Sequence, residues 1–545
     1  MKIALAQTNP KIGDFEGNTQ KILEFIEKAK EKQADLVVFP ELSICGYPPR
    51  DLLTRQEFLK AAEKAFSKIK AQIKGITAVI GLPRARKKSS HPPFENQAVV
   101  IADGEEVLNY AKNLLPPYDI FDEPRYFSPR YETACFLLKG RSIGLSVCED
   151  IWHHRDFLAF DYDFDPLEGL AGRIEVLINI SASPYYVGKI EVRKRLLSAQ
   201  ARRLGCYVFY CNQVGANDHL IFDGQSLVFS PEGELIGEAC DFEEDLLLID
   251  LGDPTPVGHQ VSTRREESLL KALVFGVKEY FRKTGFKGAL IGLSGGIDSS
   301  VTAAIATFAL GAENVLGVLM PSPYTSQESN EDALALAQNL GIKTITIPIT
   351  DTFMALRGEL AKAFGREPKT LTQENLQARI RGNILMALAN EFGCLVLNTG
   401  NKSEIAVGYC TLYGDTCGAI SVLGDVLKND VYALAREINR KGEIIPERVL
   451  IKPPSAELRP DQKDEDDLPP YRILNPIVKA FVEEGKSAEE IIAQGFPPEV
   501  VKEVLKRIRV EEYKRWQLPP TLRVSPRAFG YGWRYPIAQG FRFEG

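Results

Sequence analysis

Leu290-Ile291-Gly292-Leu293-Ser294-Gly295-Gly296-Ile297-Asp298-Ser299-Ser300 is the stretch from which the fold of the second half follows. Ala289–Leu293 is a short apolar run of strand type, and Val301–Leu310 is an Ala-rich run of helical length that stops at Gly311. The glycine pair between them reaches backbone angles closed to other residues, so successive N–H groups can point inward beside the positive end of the next helix. That geometry binds phosphate. Two glycines alone describe any strand-to-helix turn; two serines and an aspartate around them favour a phosphate cradle.

The turn is not a Walker loop, because Gly-x-x-x-x-Gly-Lys-Ser/Thr is absent and Asp298 stands where the lysine would be. Gly485-Lys486-Ser487 lacks the first glycine of that motif, at Ala480. Ser-Gly-Gly-x-Asp-Ser resembles instead the PP-loop of enzymes that split ATP between the α and β phosphates. The resemblance implies that Gly292, Leu293, Ser294, Gly295, Gly296, Ile297, Asp298 and Ser299 line the ATP site. Ser294, Gly295, Gly296 and Ser299 would hold the pyrophosphate, and Asp298 would help to place Mg²⁺, which prefers oxygen ligands.

Around this turn the periodicity predicts a helix near Ser268–Lys283 and a strand at Val315–Met320. A helix follows whose start is marked by Thr325 and Glu328 as a capping box, then a strand at Thr344–Pro348. Strands separated by helices predict a doubly wound parallel sheet of Rossmann-like type, with ligands at the strand C-termini. Thr372–Gly382 opens a further helix, Leu395–Asn398 leads into Thr399-Gly400-Asn401-Lys402-Ser403-Glu404, and Tyr409–Asp415 follows. With the glycine turn on the same sheet, this set resembles the NAD synthetase family. The resemblance implies that Thr399 meets ATP, that Lys428 faces the phosphates, and that Asn375, Glu404 and Lys514 meet deamido-NAD, with Glu404 also close to Mg²⁺. Lys452–Tyr471, rich in proline and acid, resembles the family's mobile loop over ATP and is expected to be exposed and flexible. The tail Arg527–Tyr535 mixes arginines with aromatics and is expected to serve packing or subunit contact.

Residues 1–251 also alternate strand-like and helical runs: Ile3–Gln7, a helix over about Thr19–Glu31, then Leu36–Pro40, Ala78–Leu82 and Ala98–Ala102. Three strand ends carry reactive groups: Glu41 after Leu36–Pro40, Lys112 after Val107–Ala111, and Cys148 after Ile143–Val147. Singly they read as a solvated acid, a surface lysine and an inert thiol. Together they make chemical sense, because a thiol titrating near ~8.5 needs a cation or a base beside it to attack at neutral pH.

Phe39-Pro40-Glu41-Leu42-Ser43, Lys112-Asn113-Leu114-Leu115-Pro116 and Ser146-Val147-Cys148-Glu149-Asp150 resemble the three signature segments of the nitrilase-type amidase superfamily. This implies an αββα sandwich and a Glu41-Lys112-Cys148 triad that cleaves an amide and releases ammonia, with Glu123 as the supporting glutamate. Asn179–Tyr185 with Lys189 resembles a glutamine-recognising segment, so Tyr118, Ser183 and Lys189 would contact glutamine. The stretch His153–Gly172 looks longer than the family pattern, which leaves one pocket wall open.

The totals fit this reading. A chain of 545 residues exceeds one ordinary core, and we expect an amidohydrolase domain over 1–251, a linker over 252–262 at Asp253-Pro254-Thr255-Pro256, and a synthetase domain over 263–545. An apolar content of 44%, with 26% charged residues, suits a soluble enzyme, and a net charge of −7 speaks against a nucleic-acid surface. No apolar run approaches the ~18 residues of a membrane span, and the first residues turn polar too soon for a signal peptide. Nine cysteines without framework spacing, no C-x-x-C and five scattered histidines predict a cytoplasmic protein with no histidine or cysteine metal motif.

With both halves in one chain, the whole resembles the glutamine-dependent NAD synthetase family. The implied substrates are glutamine, ATP and deamido-NAD, the implied cofactor is Mg²⁺, and the expected partners are further copies of the chain, a homo-oligomer, with neither nucleic acid nor membrane. Another PP-loop amidotransferase, of the GMP or asparagine synthetase type, would carry a Gly-x-Cys-x-Gly or N-terminal-cysteine glutaminase. Here Cys148 lies in Val-Cys-Glu and residue 2 is Lys2. A catalytically silent nucleotide-binding regulator would have no reason to keep Glu41, Lys112, Cys148 and the full glycine turn.

Overall fold

The computed structural model describes residues 1–86, 92–154, 156–157 and 160–543. Two compact units meet in sequence between Thr263 and Arg264. No helix among the described residues is long and apolar enough to cross a membrane.

In the first unit two sheets stack face to face. One runs in the order Asp245–Asp250, Lys2–Gln7, Leu36–Val38, Thr77–Ala85, Phe94–Ala102 and Glu105–Ala111. The other runs Val257–Gly258, Leu235–Glu238, Leu227–Phe229, Tyr207–Asn212, Val176–Ser181, Arg141–Val147 and Cys135–Leu138. Strand alternation sends Ile3, Leu5, Val38 and Val100 of the first sheet against Leu145, Val147, Ile178 and Phe209 of the second, forming the central core. The opposite faces take helices. Phe15–Glu31, capped by the Asp14 side chain on the Gly17 N–H, presents Ile22, Phe25, Ile26 and Ala29 at helical spacing to Ala4, Ala6, Val37 and Ile80. Lys189–Leu204 lays Leu196, Leu197, Ala201 and Leu204 on Leu177 and Val208 of the other sheet. The layers are therefore α, β, β, α, as expected. Within the stretch read as a linker, Val257–Gly258 pairs with Leu235–Glu238, so that part of the chain still belongs to the first unit.

The second unit is built on a five-stranded parallel sheet in the order Lys343–Thr346, Val315–Leu319, Ala289–Gly292, Leu395–Asn398 and Ile420–Ser421. The strand order reverses between Ala289–Gly292 and Leu395–Asn398. A crevice opens at such a reversal, beyond the strand C-termini, and there the glycine turn and Thr399 stand together. Leu290 and Val318 pack against Phe353, Ile380 and Leu385 from the helices Thr350–Phe364 and Thr370–Phe392. Each such side chain removed from water contributes about 1.5–3 kcal/mol.

Some expectations change. The helix after the glycine turn begins at Ile297, four residues earlier than Val301. The next helix, Gln327–Leu340, is capped by Ser326 on the Ser329 N–H, and Thr325 with Glu328 forms no capping box. The reason is a distant carboxylate: Glu457 accepts from the Ser326 hydroxyl at 2.9 Å and from Ser329 at 2.8 Å, which fixes the start one residue later. Lys452–Tyr471 is not simply exposed, since Gln462, Asp464 and Leu468 are buried and Gln377 donates to the Leu458 carbonyl at 2.9 Å. In the tail, Phe529 and Trp533 are buried against Phe481, a packing role. Gly485-Lys486-Ser487 is a helix start, with Ser487 capping Glu490.

Gly295 has φ +73, and a Cβ there would lie 2.1 Å from the Ser329 carbonyl oxygen. Gly295→Ala is expected to destabilise the second unit by at least about 1–3 kcal/mol, from the left-handed strain and the backbone clash. Chemical denaturation checks this; an unchanged midpoint contradicts the tight fit of the turn.

Candidate active sites

The first site assembles at the C-terminal ends of strands in both sheets. Strand Leu36–Val38 delivers Glu41, Glu105–Ala111 delivers Lys112, and Arg141–Val147 delivers Cys148. Cys148 has φ +45, a left-handed conformation that a side chain with a Cβ occupies at a cost, and it begins the short 3-10 turn Cys148–Trp152. Asp150 holds that turn to the lysine segment. One of its oxygens accepts the N–H groups of Asn113 at 3.0 Å and Leu114 at 2.8 Å; the other accepts Val147 N–H at 3.0 Å and the Tyr110 hydroxyl at 2.9 Å. Burial pushes the Asp150 carboxyl up to about 6 against those donors.

Lys112 is buried between two carboxylates, at 2.9 Å from Glu41 Oε1 and 2.8 Å from Glu123 Oε1. Burial disfavours its ammonium, but Glu123 and Glu41 outweigh that and hold its pKa well above the usual value. Glu41 also accepts Asn96 Nδ2 at 2.6 Å and the Ala182 N–H at 3.0 Å. Tyr47 donates to Glu123 at 2.9 Å, and burial pushes Glu123 up to about 7 despite both donors. For Cys148, burial and the Glu41 charge raise the thiol well above its usual range, and Lys112 only partly opposes them. The lysine alone does not make a resting thiolate.

Beside the thiol, Glu149 was legible only as part of the Cys-Glu-Asp segment. Tyr118 donates to its Oε1 at 2.7 Å and Tyr162 to the same oxygen at 3.1 Å, while Oε2 accepts no hydrogen bond among the described residues. Burial raises the Glu149 pKa, opposed by Tyr118, Lys112, Tyr162 and Lys189. Tyr162 comes from the long stretch His153–Gly172, of which residues 155, 158 and 159 lie outside the described residues. The aromatic composition of that stretch was the available signal. Lys189 begins its helix with Nζ 5.7 Å from the Trp152 ring and 5.2 Å from the Tyr186 ring. Ser183 is fixed through its backbone, by Asn212 Oδ1 at 2.9 Å and by Arg193 on its carbonyl at 2.8 Å.

The second site is a cavity of about 210 Å³ lined by Ser294, Gly296, Ile297, Asp298, Ser299, Thr399, Glu404 and Lys428, among others. A neighbouring cavity of about 240 Å³ shares Ser294 and Thr399 and adds Gly292, Leu293 and Arg381. Ser294 Oγ and Ser299 Oγ lie 3.1 Å apart, and Ser294 Oγ accepts the Gly296 N–H at 3.2 Å, so the turn is tied across its mouth. Lys428 Nζ reaches Asp298 at 2.5 Å and Glu404 at 3.2 Å. Burial opposes its charge, but Asp298 and Glu404 hold its pKa above the usual value. Burial pushes Glu404 up to about 8 against Lys428, and Asp298 and Asp464 add to the rise.

Asn401, unremarked in the sequence beyond its motif, joins these groups. Its Oδ1 caps the helix Lys402–Val407 by accepting the Ser403 and Glu404 N–H groups, and its Nδ2 donates to Asp298 at 2.9 Å. Arg381 donates to the Met320 carbonyl at 3.1 Å inside the second cavity, its pKa lowered by burial to about 10. Three expected residues, Gly295, Asn375 and Lys514, stand outside both linings, Gly295 lying against the Ser329 carbonyl instead. Asn375 accepts from the Thr411 hydroxyl at 2.7 Å, and Lys514 donates to the carbonyls of Gly408 at 2.7 Å and Cys410 at 3.2 Å. Lys514 thereby supports the turn whose Tyr409 and Cys410 do line the cavity.

Residues 2–253 match the carbon-nitrogen hydrolase family model, and residues 269–519 match the NAD synthase model. A glutamine-dependent NAD(+) synthetase from Synechocystis sp. is 46% identical over 100% of this chain and 99% of its own. One from Thermotoga maritima is 44% identical over 99% of each. The solved structure of glutamine-dependent NAD+ synthetase from Acinetobacter baumannii in complex with ADP is similar with a TM-score of 0.79, at 40% identity and covering 98% of both chains. Identity at this level across both units, with a thiol site in one and a glycine-turn nucleotide cavity in the other, means that the chain belongs to the glutamine-dependent NAD(+) synthetase family.

Proposed function

We propose that the first unit hydrolyses glutamine to glutamate and ammonia, and that the second uses the ammonia to convert deamido-NAD to NAD at the expense of ATP, which becomes AMP and pyrophosphate. The observation that carries this reading is full-length similarity to synthetases of that name together with a Glu-Lys-Cys site in the first unit. In the first reaction the substrate's ammonium sits on Glu149, whose free Oε2 is aimed by the two tyrosines on Oε1, with Lys189 and Ser183 near the substrate's carboxylate. Because the resting thiol is protonated, attack on the amide carbon transfers the Sγ proton to Glu41 as the bond forms. Lys112 and nearby donors stabilise the oxyanion, the C–N bond breaks and the proton leaves with ammonia. Water then attacks the thioester, its proton passing through Glu41 to Sγ as the C–S bond breaks and glutamate is released. Glu123 and Tyr47 keep Lys112 in place.

In the second unit, the nicotinate carboxylate of deamido-NAD attacks the α-phosphorus of ATP and pyrophosphate departs. Ammonia then displaces AMP from the adenylate. Ser294, Ser299 and the N–H groups of the glycine turn hold the departing phosphates, and Thr399 and Arg381 border the nucleotide. Asp298, Glu404 and Asp464 outnumber Lys428, so the cavity carries excess acid that a divalent cation would neutralise. Asp298 and Glu404 are the residues that would hold Mg²⁺, a hard cation that prefers oxygen ligands. When bound, the ion draws charge from the phosphates. Nine free thiols suit a reducing compartment such as the cytoplasm. Exposed Met354, Phe364, Leu371 and Phe392 on neighbouring helices support a homo-oligomer.

Cys148→Ala is expected to lower glutamine-driven NAD synthesis by about 10³-fold or more while synthesis from ammonium salts continues. Parallel assays with the two nitrogen sources check it; glutamine use that survives removes Cys148 from the reaction.

Glu149→Gln is expected to raise KM for glutamine on the order of 10–100-fold, the loss of one charged hydrogen bond. The ionised carboxylate binds the ammonium, and burial raises the Glu149 pKa, so KM in the parent chain falls as pH rises through that raised value. In the variant this dependence should vanish; a persisting one assigns it elsewhere.

Asp298→Asn is expected to reduce synthetase turnover by about 10²–10³-fold while glutaminase activity is kept. Near-normal AMP formation at ordinary Mg²⁺ concentration would exclude Asp298 from the metal.

A further inference from the structure

The spacing of histidines and cysteines gave no metal motif, yet sheet register in the first unit gathers three ligating side chains that neither proposed reaction uses. Cys240 follows the strand Leu235–Glu238, and the chain turns back through Phe242, at φ +57, into the strand Asp245–Asp250. On the other side Val257–Gly258 pairs in parallel with Gly237 and Glu238, and the His259 N–H donates to the Glu238 carbonyl at 2.9 Å. This brings the ligating atoms of Cys240, Asp245 and His259 within 4.8 Å of one another.

The frame around them is tied down by other groups. Gln7 Nε2 donates to the carbonyls of Cys240 and Glu243, each at 2.8 Å, and Asp245 Oδ2 accepts the Cys240 N–H at 2.9 Å. His259 Nδ1 lies 2.5 Å from the same carboxylate oxygen. The His259 side chain is 32% exposed and that of Asp245 14%, so the cluster opens to solvent on one side.

We propose that Cys240, Asp245 and His259 form a binding site for a divalent cation of the zinc class, with water as the fourth ligand. The donor set decides the class. Sulfur and imidazole nitrogen suit a borderline-soft ion, whereas Mg²⁺ and Ca²⁺ take oxygen. Binding releases the thiol proton to solvent and moves the imidazole proton from Nδ1 to Nε2, so that Sγ, Nδ1 and a carboxylate oxygen face the ion. The ion would join two strand ends and the segment that leads out of the first unit, stiffening that corner without entering either reaction.

Metal-free full-length protein titrated with Co²⁺ tests this. The expected result is a thiolate-to-cobalt charge-transfer band in the near ultraviolet that saturates at one ion per chain and is displaced by Zn²⁺. Cys240→Ser should abolish the band, and His259→Gln should weaken Co²⁺ binding by at least the ~10–100-fold that loss of a supporting group costs. Both variants should keep the parent's metal-free melting temperature and lose the rise that Zn²⁺ gives the parent. If Cys240→Ser fails to fold, His259→Gln alone decides. Absence of the band in the parent, or a band and affinity unchanged in the variants, overturns the site.

Discussion

One buried ammonium governs the first unit: Lys112, enclosed with Glu41 and Glu123 where almost no water reaches. Two carboxylates and a nearby thiol around a single cation cannot all be ionised in such surroundings without a large electrostatic cost. The balance is met by protons, which is why Glu123 is pushed up to about 7 and the Cys148 thiol stays protonated at rest. Removing the lysine would leave paired acids buried without a counter-charge, a loss of about 3–5 kcal/mol. Pairing therefore sets both the stability of this corner and the protonation state from which the chemistry starts.

The second unit repeats the motif with a different balance. Lys428 is again a buried ammonium between carboxylates, Asp298 and Glu404, with Asp464 close enough to add to the rise of Glu404. Here the cavity is open to a polyanionic nucleotide, so excess acid is an asset only if a cation accompanies the phosphates. At rest protonation relieves surplus negative charge in both units, at Glu123 and at Glu404; in the second a cation that enters with the nucleotide would take over that role. Under the proposed function the same residue types would serve nucleophile control in one place and phosphate handling in the other, the difference lying in burial and accessibility.

What the sequence made legible was local. Strand ends at Glu41, Lys112 and Cys148, and the strand-turn-helix at Ser294–Ser299, are short patterns that the tertiary fold leaves intact. What escaped was set by distant partners. Thr325 and Glu328 read as a capping box, but Glu457, 131 residues away from Ser326, moves the cap. Asn401 looks like a loop amide until its helix forms and frees Nδ2 to meet Asp298. Tyr162 lies in a stretch without periodicity, and only the fold brings it to Glu149. His259 approaches Cys240 through parallel pairing of a two-residue strand too short to leave a pattern.

Both sites begin with a left-handed residue just beyond a strand, Cys148 in one and Gly295 in the other. Such a residue turns the chain sharply enough to aim the next N–H groups and side chains outward from the sheet. Glycine adopts this conformation without strain, while a residue with a Cβ pays about 1–2 kcal/mol for it. At Gly295 the approach of the Ser329 carbonyl leaves no room for a Cβ, so glycine is the one residue that fits. At Cys148 the side chain is the proposed reagent, and the strain must be held in place. The hydrogen bonds of Asp150 to Asn113, Leu114 and Val147 do that, fixing the turn to the segment that carries Lys112. One carboxylate thereby ties the backbone at Cys148 to the segment that carries Lys112, whose ammonium Glu41 and Glu123 then hold.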